Sequence, residues 1–209
     1  METKKQILLC EARGPLIDLI DKLSGNNGGE WLERLKKCLR QEGHFPVWGK
    51  ISTNIYSDSD MLLEKLEKAE YISTDREQET KILIKKVTSE NQRSAMYRLA
   101  EVTPKDLGFK GLLPPKLEEF YARAFEEGLE LCPGTLGPEL RLEYEGVAAT
   151  EHHFIAMDPI TNDDNQTQVF LLYTQLNNAK EESPAISSET YYKSERVKFD
   201  EKWLFVIKK

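Results

Sequence analysis

No apolar run in this chain approaches the roughly 20 residues that a helix needs to cross a bilayer. The longest apolar stretches, such as Phe170 to Tyr173, have the length of strands. Elsewhere apolar residues recur at helical spacing. A chain patterned this way folds by packing short amphipathic helices against strands around a shared core. With 209 residues, 39% of them apolar and 31% charged, there is enough material for that core and a well-charged surface. The expectation is an α+β protein.

The N-terminal part reads as a helical hairpin over 1–43. Pro15 suits a first helical turn, and Leu16, Leu19, Ile20 and Leu23 follow at helical spacing. Ser24-Gly25-Asn26-Asn27-Gly28-Gly29 is a strong turn. A second helix runs from about Glu30 to Gln41 on the stripe Trp31, Leu32, Leu35, Cys38 and Leu39, and Gly43 ends it. A small βα(β) unit is expected over 44–100. Its parts are a strand over Trp48–Ile55, a helix over Ser59–Glu70 and a second strand over Lys81–Thr88 centred on Ile82-Leu83-Ile84.

Residues 101–209 read as a helix packed on an antiparallel sheet of three or four strands. Pro114 and Pro115 open a helix over Lys116–Glu127 that Gly128 stops. Glu139 to Glu145 alternates, with Leu140, Leu142 and Tyr144 on one face and Arg141 and Glu143 on the other, as a strand does. Phe154–Met157 is apolar on both faces, the pattern of a central strand. Thr161–Asn165 is turn chemistry, Val169–Thr174 its hairpin partner, and Trp203–Ile207 a last strand. The polar stretch Asn177–Arg196 reads as a mobile loop.

This second half carries a recognisable series of motifs. They are Asp106-Leu107-Gly108-Phe109, Gly128-Leu129-Glu130-Leu131-Cys132-Pro133 and Gly137-Pro138-Glu139-Leu140-Arg141-Leu142-Glu143-Tyr144. Ile155-Ala156-Met157-Asp158-Pro159-Ile160 and the closing Trp203-Leu204-Phe205-Val206 complete it. The series resembles a family of uncharacterised bacterial proteins from metagenomic genomes. The resemblance covers about 101–209, with a weaker echo from Gly29 through Trp48, and it implies no reaction. Between Tyr173 and Trp203 the chain departs from the family, whose members often have a Gly/Trp-containing segment there.

Three cysteines, Cys10, Cys38 and Cys132, are odd in number and widely spaced, so free thiols in a reducing compartment are expected. Met1–Cys10 lacks the apolar length and cleavage site of a signal peptide. The expected location is the cytoplasm, with no membrane association.

The first 110 residues carry 19 basic and 18 acidic side chains, and the remainder carries 10 and 18. An acidic half repels phosphate, so nucleic acid is an unfavoured partner. If it binds at all, residues 81–98 are the place, through Lys81, Lys85, Lys86, Arg93 and Arg98 beside Tyr97. Glu77, Glu79 and Glu90 dilute that patch, and a solvated face is the simpler account.

No P-loop, dinucleotide fingerprint, nucleophile elbow, HExxH or CxxC occurs. No cofactor, metal ligand set or catalytic residue is therefore expected. His152 and His153, adjacent on a strand, point to opposite faces and do not share a metal. Cys132 follows a helix C-terminus, where the dipole disfavours a thiolate, and reads as a small core residue. Asp158, Asp163 and Asp164 lack the spacing of an EF-hand and suit a turn.

The remaining candidates are for binding. Cys132, Pro133, Gly137 and Pro138 lie in a rigid connection, which serves either a partner or the turn itself. Arg141, on the polar face of its strand, anchors an acidic ligand or pairs across the sheet. The favoured function is a non-enzymatic protein-interaction or regulatory module with a protein partner. A hydrolase with a dispersed site around Glu151, His152 and Asp158 is the alternative.

Overall fold

The structure is a computed structural model that describes residues 9–39, 45–53, 59–88, 95–144, 151–162, 164–176 and 181–208, the side chains of 9–13, 33–34 and 36–39 excepted. Gly43, Glu90, Arg93 and Asp163, and the side chains of Cys10 and Cys38, lie outside the described residues. The chain divides into two compact units, 1–44 and 45–209.

The first unit is a pair of helices, α1 (Leu9–Ser24) and α2 (Gly28–Leu39), that contact each other. The Gly-Asn turn between them is closed by the Gly28 amide, which donates to the Gly25 carbonyl at 2.9 Å. Gly28 is required there, because a Cβ would sit 2.0 Å from the Leu23 carbonyl oxygen. The Lys22 ammonium lies 4.7 Å from the Trp31 ring centre and joins the two helices. Pro15 falls inside α1 and not in its first turn, because the helix already starts at Leu9. An interior proline gives up one backbone hydrogen bond.

The second unit is built in chain order from β1 (Gly49–Ser52), α3 (Ser59–Lys68), α4 (Glu77–Thr88), β2 (Met96–Val102) and α5 (Leu117–Glu126). It continues with β3 (Leu129–Glu130), α6 (Leu136–Glu143), β4 (His153–Ile155), β5 (Ile160–Thr161), β6 (Thr167–Leu176), β7 (Glu182–Thr190) and β8 (Lys202–Ile207). The strands form one sheet in the order β1-β2-β8-β4-β6-β5, with β3 also on β8 and β7 also on β6. The fold is α+β, as the patterning requires. The sheet is larger than three or four strands, and it is mixed, since β4 runs parallel to β8. β2 runs across residues 100 and 101, where the sequence reading divides the chain, and pairs with β8 from Leu99↔Val206 to Val102↔Trp203.

The last strand in sequence is central in space, because Trp203-Leu204-Phe205-Val206 is apolar on both faces and needs cover on both. On one face, Phe120 and Tyr121 of α5 meet Trp203 and Phe205 edge-on at 5.5–5.9 Å. α5 starts where the Lys116 amide donates to the Glu119 carboxylate at 2.8 Å. It stops at Gly128, whose φ of 81° an L side chain rarely adopts.

Three segments differ from the sequence reading. Lys81–Thr88 is not a strand but the body of α4. Thr80, Leu83, Ile84 and Val87 are buried at helical spacing, while Ile82 is exposed. The β-branched run imitates a strand, and the four-residue period decides.

The expected strand over Glu139–Glu145 is not formed either, over its described residues 139–144. Leu136–Glu143 forms α6, with Pro138 in its first turn. The alternation does not set the structure: in the helix Leu140 is buried, while Leu142, two residues on, turns to the other side and is only half-buried. Gly137 lets that helix approach β6, since a Cβ there would lie 2.9 Å from the Phe170 ring.

Within Asn177–Arg196, residues 182–190 form β7, paired with β6 from Glu182↔Leu176 to Thr190↔Gln168. Its serines are not loop chemistry. Ser187 and Ser188 are buried, and the Ser188 amide donates to the Thr80 hydroxyl of α4 at 2.9 Å.

Candidate functional site

The binding residues read from sequence are mostly interior. Arg141 has 0% exposure in α6, not a place on a polar strand face. Its Nη2 donates to the Tyr144 carbonyl, and its guanidinium lies 5.7 Å from the Tyr71 ring centre. Gly137 and Pro138 are buried, and Pro133 is half-buried. Cys132 is buried, donates its thiol to the Leu204 carbonyl at 3.2 Å, and is pushed far up from the ordinary thiol range by burial. It is a core thiol and not a nucleophile.

The two adjacent histidines do point to opposite faces. His152 is exposed with its ring centre 5.7 Å from that of Tyr173, whereas His153 is 1% exposed. Glu151 and His152 line a pocket of about 460 Å³ with Phe154, Lys198, Asp200, Glu201 and Lys202. Asp158 does not line it. Glu151 precedes β4 and Asp158 follows it, so the expected trio is divided between the two ends of one strand.

Sheet register assembles a polar cluster that the sequence reading missed. Glu101 on β2 pairs with Leu204 on β8, and His153 on β4 pairs with Lys202 on β8. Residues 202 and 204 share a face by strand periodicity. Glu101, Lys202 and His153 therefore meet on the face opposite Trp203 and Phe205. His153 Nε2 is 2.5 Å from Glu101 Oε2. Lys202 Nζ is 3.5 Å from Glu101 Oε1 and 2.7 Å from Glu151 Oε1. Trp48 covers the imidazole, its ring centre 5.4 Å away. The only sequence signal was alternation in β2 and β8, and register cannot be read from one strand alone.

Burial lowers the His153 pKa below its ordinary 6.5, outweighing Glu101, which raises it. Lys202 is held charged by its bond to Glu151. Just below pH 6.5 the unfolded chain binds a proton at this residue that the folded chain refuses. Folding stability should therefore rise with pH through that window and level off above it. Urea midpoints taken from about pH 5 to 7.5 check this. His153→Asn should flatten the dependence, and an unchanged slope would assign it to other groups.

A second feature is apolar. The turn after β2 is fixed by Asp106, whose carboxylate accepts from the Thr103 amide at 2.8 Å and hydroxyl at 2.7 Å. Gly108 takes a φ of 83°, and the Phe109 amide donates to the Pro104 carbonyl. Phe109 and Phe199 then line an open pocket of about 420 Å³ with Lys105, Lys110 and Gly111. Next to it Leu112 is wholly exposed and Leu113 is 67% exposed. The far side of the loop is pinned as well: Arg196 donates to the Pro114 carbonyl, and the Val197 amide to the Pro115 carbonyl at 2.9 Å. A sequence signal was present, namely two leucines between Gly111 and Pro114-Pro115, where turn chemistry is normally polar.

In the basic stretch 81–98 three lysines have partners close by. Lys81 is held by Glu67 at 2.7 Å and Glu77 at 2.6 Å, Lys85 lies 3.7 Å from Asp60, and Lys86 donates to the Thr161 carbonyl. No helix of the described residues is long and apolar enough to cross a membrane. No family model, curated protein or solved structure matches the chain.

Proposed function

We propose that this chain is a non-enzymatic protein-interaction module of the cytoplasm, and that it engages its partner through the 105–113 loop. The observation that carries this reading is Leu112 and Leu113 held in water beside the Phe109–Phe199 pocket. Covering a leucine side chain is worth about 1.5–3 kcal/mol. Both ends of the loop are fastened, so little ordering entropy opposes that gain. Apolar anchors beside a pocket and rimmed by charge are the usual make-up of an interface centre. Lys105 and Lys110 select the partner's chemistry, an apolar groove or helix face with acidic residues around it.

The test is capture from nuclease-treated host lysate by wild type and by Leu112→Asp/Leu113→Asp. Both leucines are exposed, so the variant should keep the wild-type melting temperature. It should also lose the proteins that wild type retains. Identical captured sets from the two proteins would refute the assignment of the loop. Retention of anionic vesicles in place of proteins would assign it to a membrane surface instead.

A further inference from the structure

We propose that Glu101, Glu151 and His153 form an exchangeable binding site for a first-row divalent cation such as Zn²⁺, in which Lys202 is the internal cation that the metal displaces. Among the described residues these three offer donor atoms that all lie within 4.8 Å of one another. One imidazole nitrogen with two carboxylates is a donor set that suits zinc and its neighbours better than magnesium or calcium.

The positions of the ligands are fixed by the sheet. Glu101 and His153 stand on β2 and β4, on either side of β8, and the register of β8 with both strands holds them on one face. Glu151 closes the site from the segment before β4, with 39% of its side chain exposed. It also lines the adjoining pocket with Lys202, which gives an ion a way in from solvent.

The cluster already holds a cation. The Lys202 ammonium sits 2.7 Å from one carboxylate and 3.5 Å from the other. Its side chain is 30% exposed and reaches toward the pocket, so it can swing out when a divalent ion replaces it. The ligands need only a small adjustment. Zinc holds N and O donors at about 2.0–2.2 Å, which separates two tetrahedral ligand atoms by about 3.4 Å. The 2.5 Å contact between His153 Nε2 and Glu101 has only to open to about that separation. The ring proton moves from Nε2 to Nδ1, which is buried and has no hydrogen-bond partner among the described residues. Ligating histidines ordinarily donate from the second nitrogen. Its absence here, together with the competing lysine, makes the site weak and exchangeable.

The experiment is Zn²⁺ titration of the full chain at about pH 7.5 against a chromophoric chelator, in a Cys10→Ser/Cys38→Ser background so that those thiols do not compete. One equivalent should bind. Lys202→Met should tighten binding about tenfold or more, because a unit charge facing the same carboxylates is removed. Glu151→Gln, at the exposed edge of the cluster, should weaken it by a similar factor with the melting temperature retained. Two outcomes overturn the proposal. One is the absence of a bound equivalent even in Lys202→Met. The other is an affinity that neither Lys202→Met nor Glu151→Gln changes, which places the ion elsewhere. Neither outcome bears on the loop reading, since Leu112 and Leu113 take no part in the cluster.

Discussion

Trp203→Ala is expected to cost about 3–5 kcal/mol of folding stability. Trp203 has 0% exposure on the central strand β8. Its ring stacks on Phe154 at 4.7 Å and 18°, and meets Phe120, Tyr121 and Tyr191 edge-on at 5.2–5.9 Å. Truncation removes the largest fully buried side chain from a site walled by β4, α5 and the turn after β7. Those walls belong to different elements and cannot collapse together, so the cavity remains. A domain of ordinary stability has about 5–15 kcal/mol in total, so the loss is a large fraction of it. Denaturant unfolding of Trp203→Ala and Trp203→Phe measures the effect. Phe should retain most of the stability, and equal losses would point to something other than volume.

Arg141→Ala should also destabilise, by about 1–3 kcal/mol, for a different reason. The guanidinium has 0% exposure, donates to the Tyr144 carbonyl at the end of α6, and lies against Tyr71. Deleting it leaves the Tyr144 carbonyl without its charge-assisted donor and the α6 interior without the side chain's volume. Arg141→Met keeps most of the volume and separates the two contributions: it should lose nearly as much as Ala if the bonds matter, and far less if volume does. The midpoints of the three proteins in urea give the answer. As a binding residue Arg141 would leave stability unchanged on removal, so the same series distinguishes the structural role from the one its charge suggests in sequence.

The sequence was most legible where a local period and a stop signal coincide. The helix between Pro115 and Gly128, the hairpin around Ser24–Gly29 and the strand Trp203–Ile207 are all found close to where the pattern puts them. It was least legible where short segments fit two periods. Ile82-Leu83-Ile84 satisfies a strand locally, and only Thr80 and Val87, buried on the same side, reveal the helix. Leu140, Leu142 and Tyr144 alternate, but Gly137 and Pro138 start a helix that β6 accepts at close range. β7 was hidden because two of its four buried positions are serines, and Ser188 is satisfied by Thr80 of α4 across 108 residues of chain.

The sites followed the same rule. Opposite placement of His152 and His153 needs only strand alternation, and it was readable. The cluster of Glu101, His153 and Lys202 depends on which strands flank β8, and the parallel β4–β8 pairing decides that. No single-strand pattern contains that information. The exposed Leu112-Leu113 pair was visible as letters, but its meaning depends on the fastening of both loop ends, from Thr103–Asp106 on one side to Arg196 and Val197 on the other.

The most direct test of the interaction reading is site-specific photo-crosslinking in cells. A photoreactive side chain is placed at position 112, and in a control protein at position 68 on the outer face of α3, where Lys68 is also exposed. The account predicts a discrete crosslinked protein from position 112 that is absent from position 68 and is lost when Lys105 and Lys110 are both changed to Glu. Crosslinking that is equal at the two positions, or unaffected by that charge reversal, would contradict it.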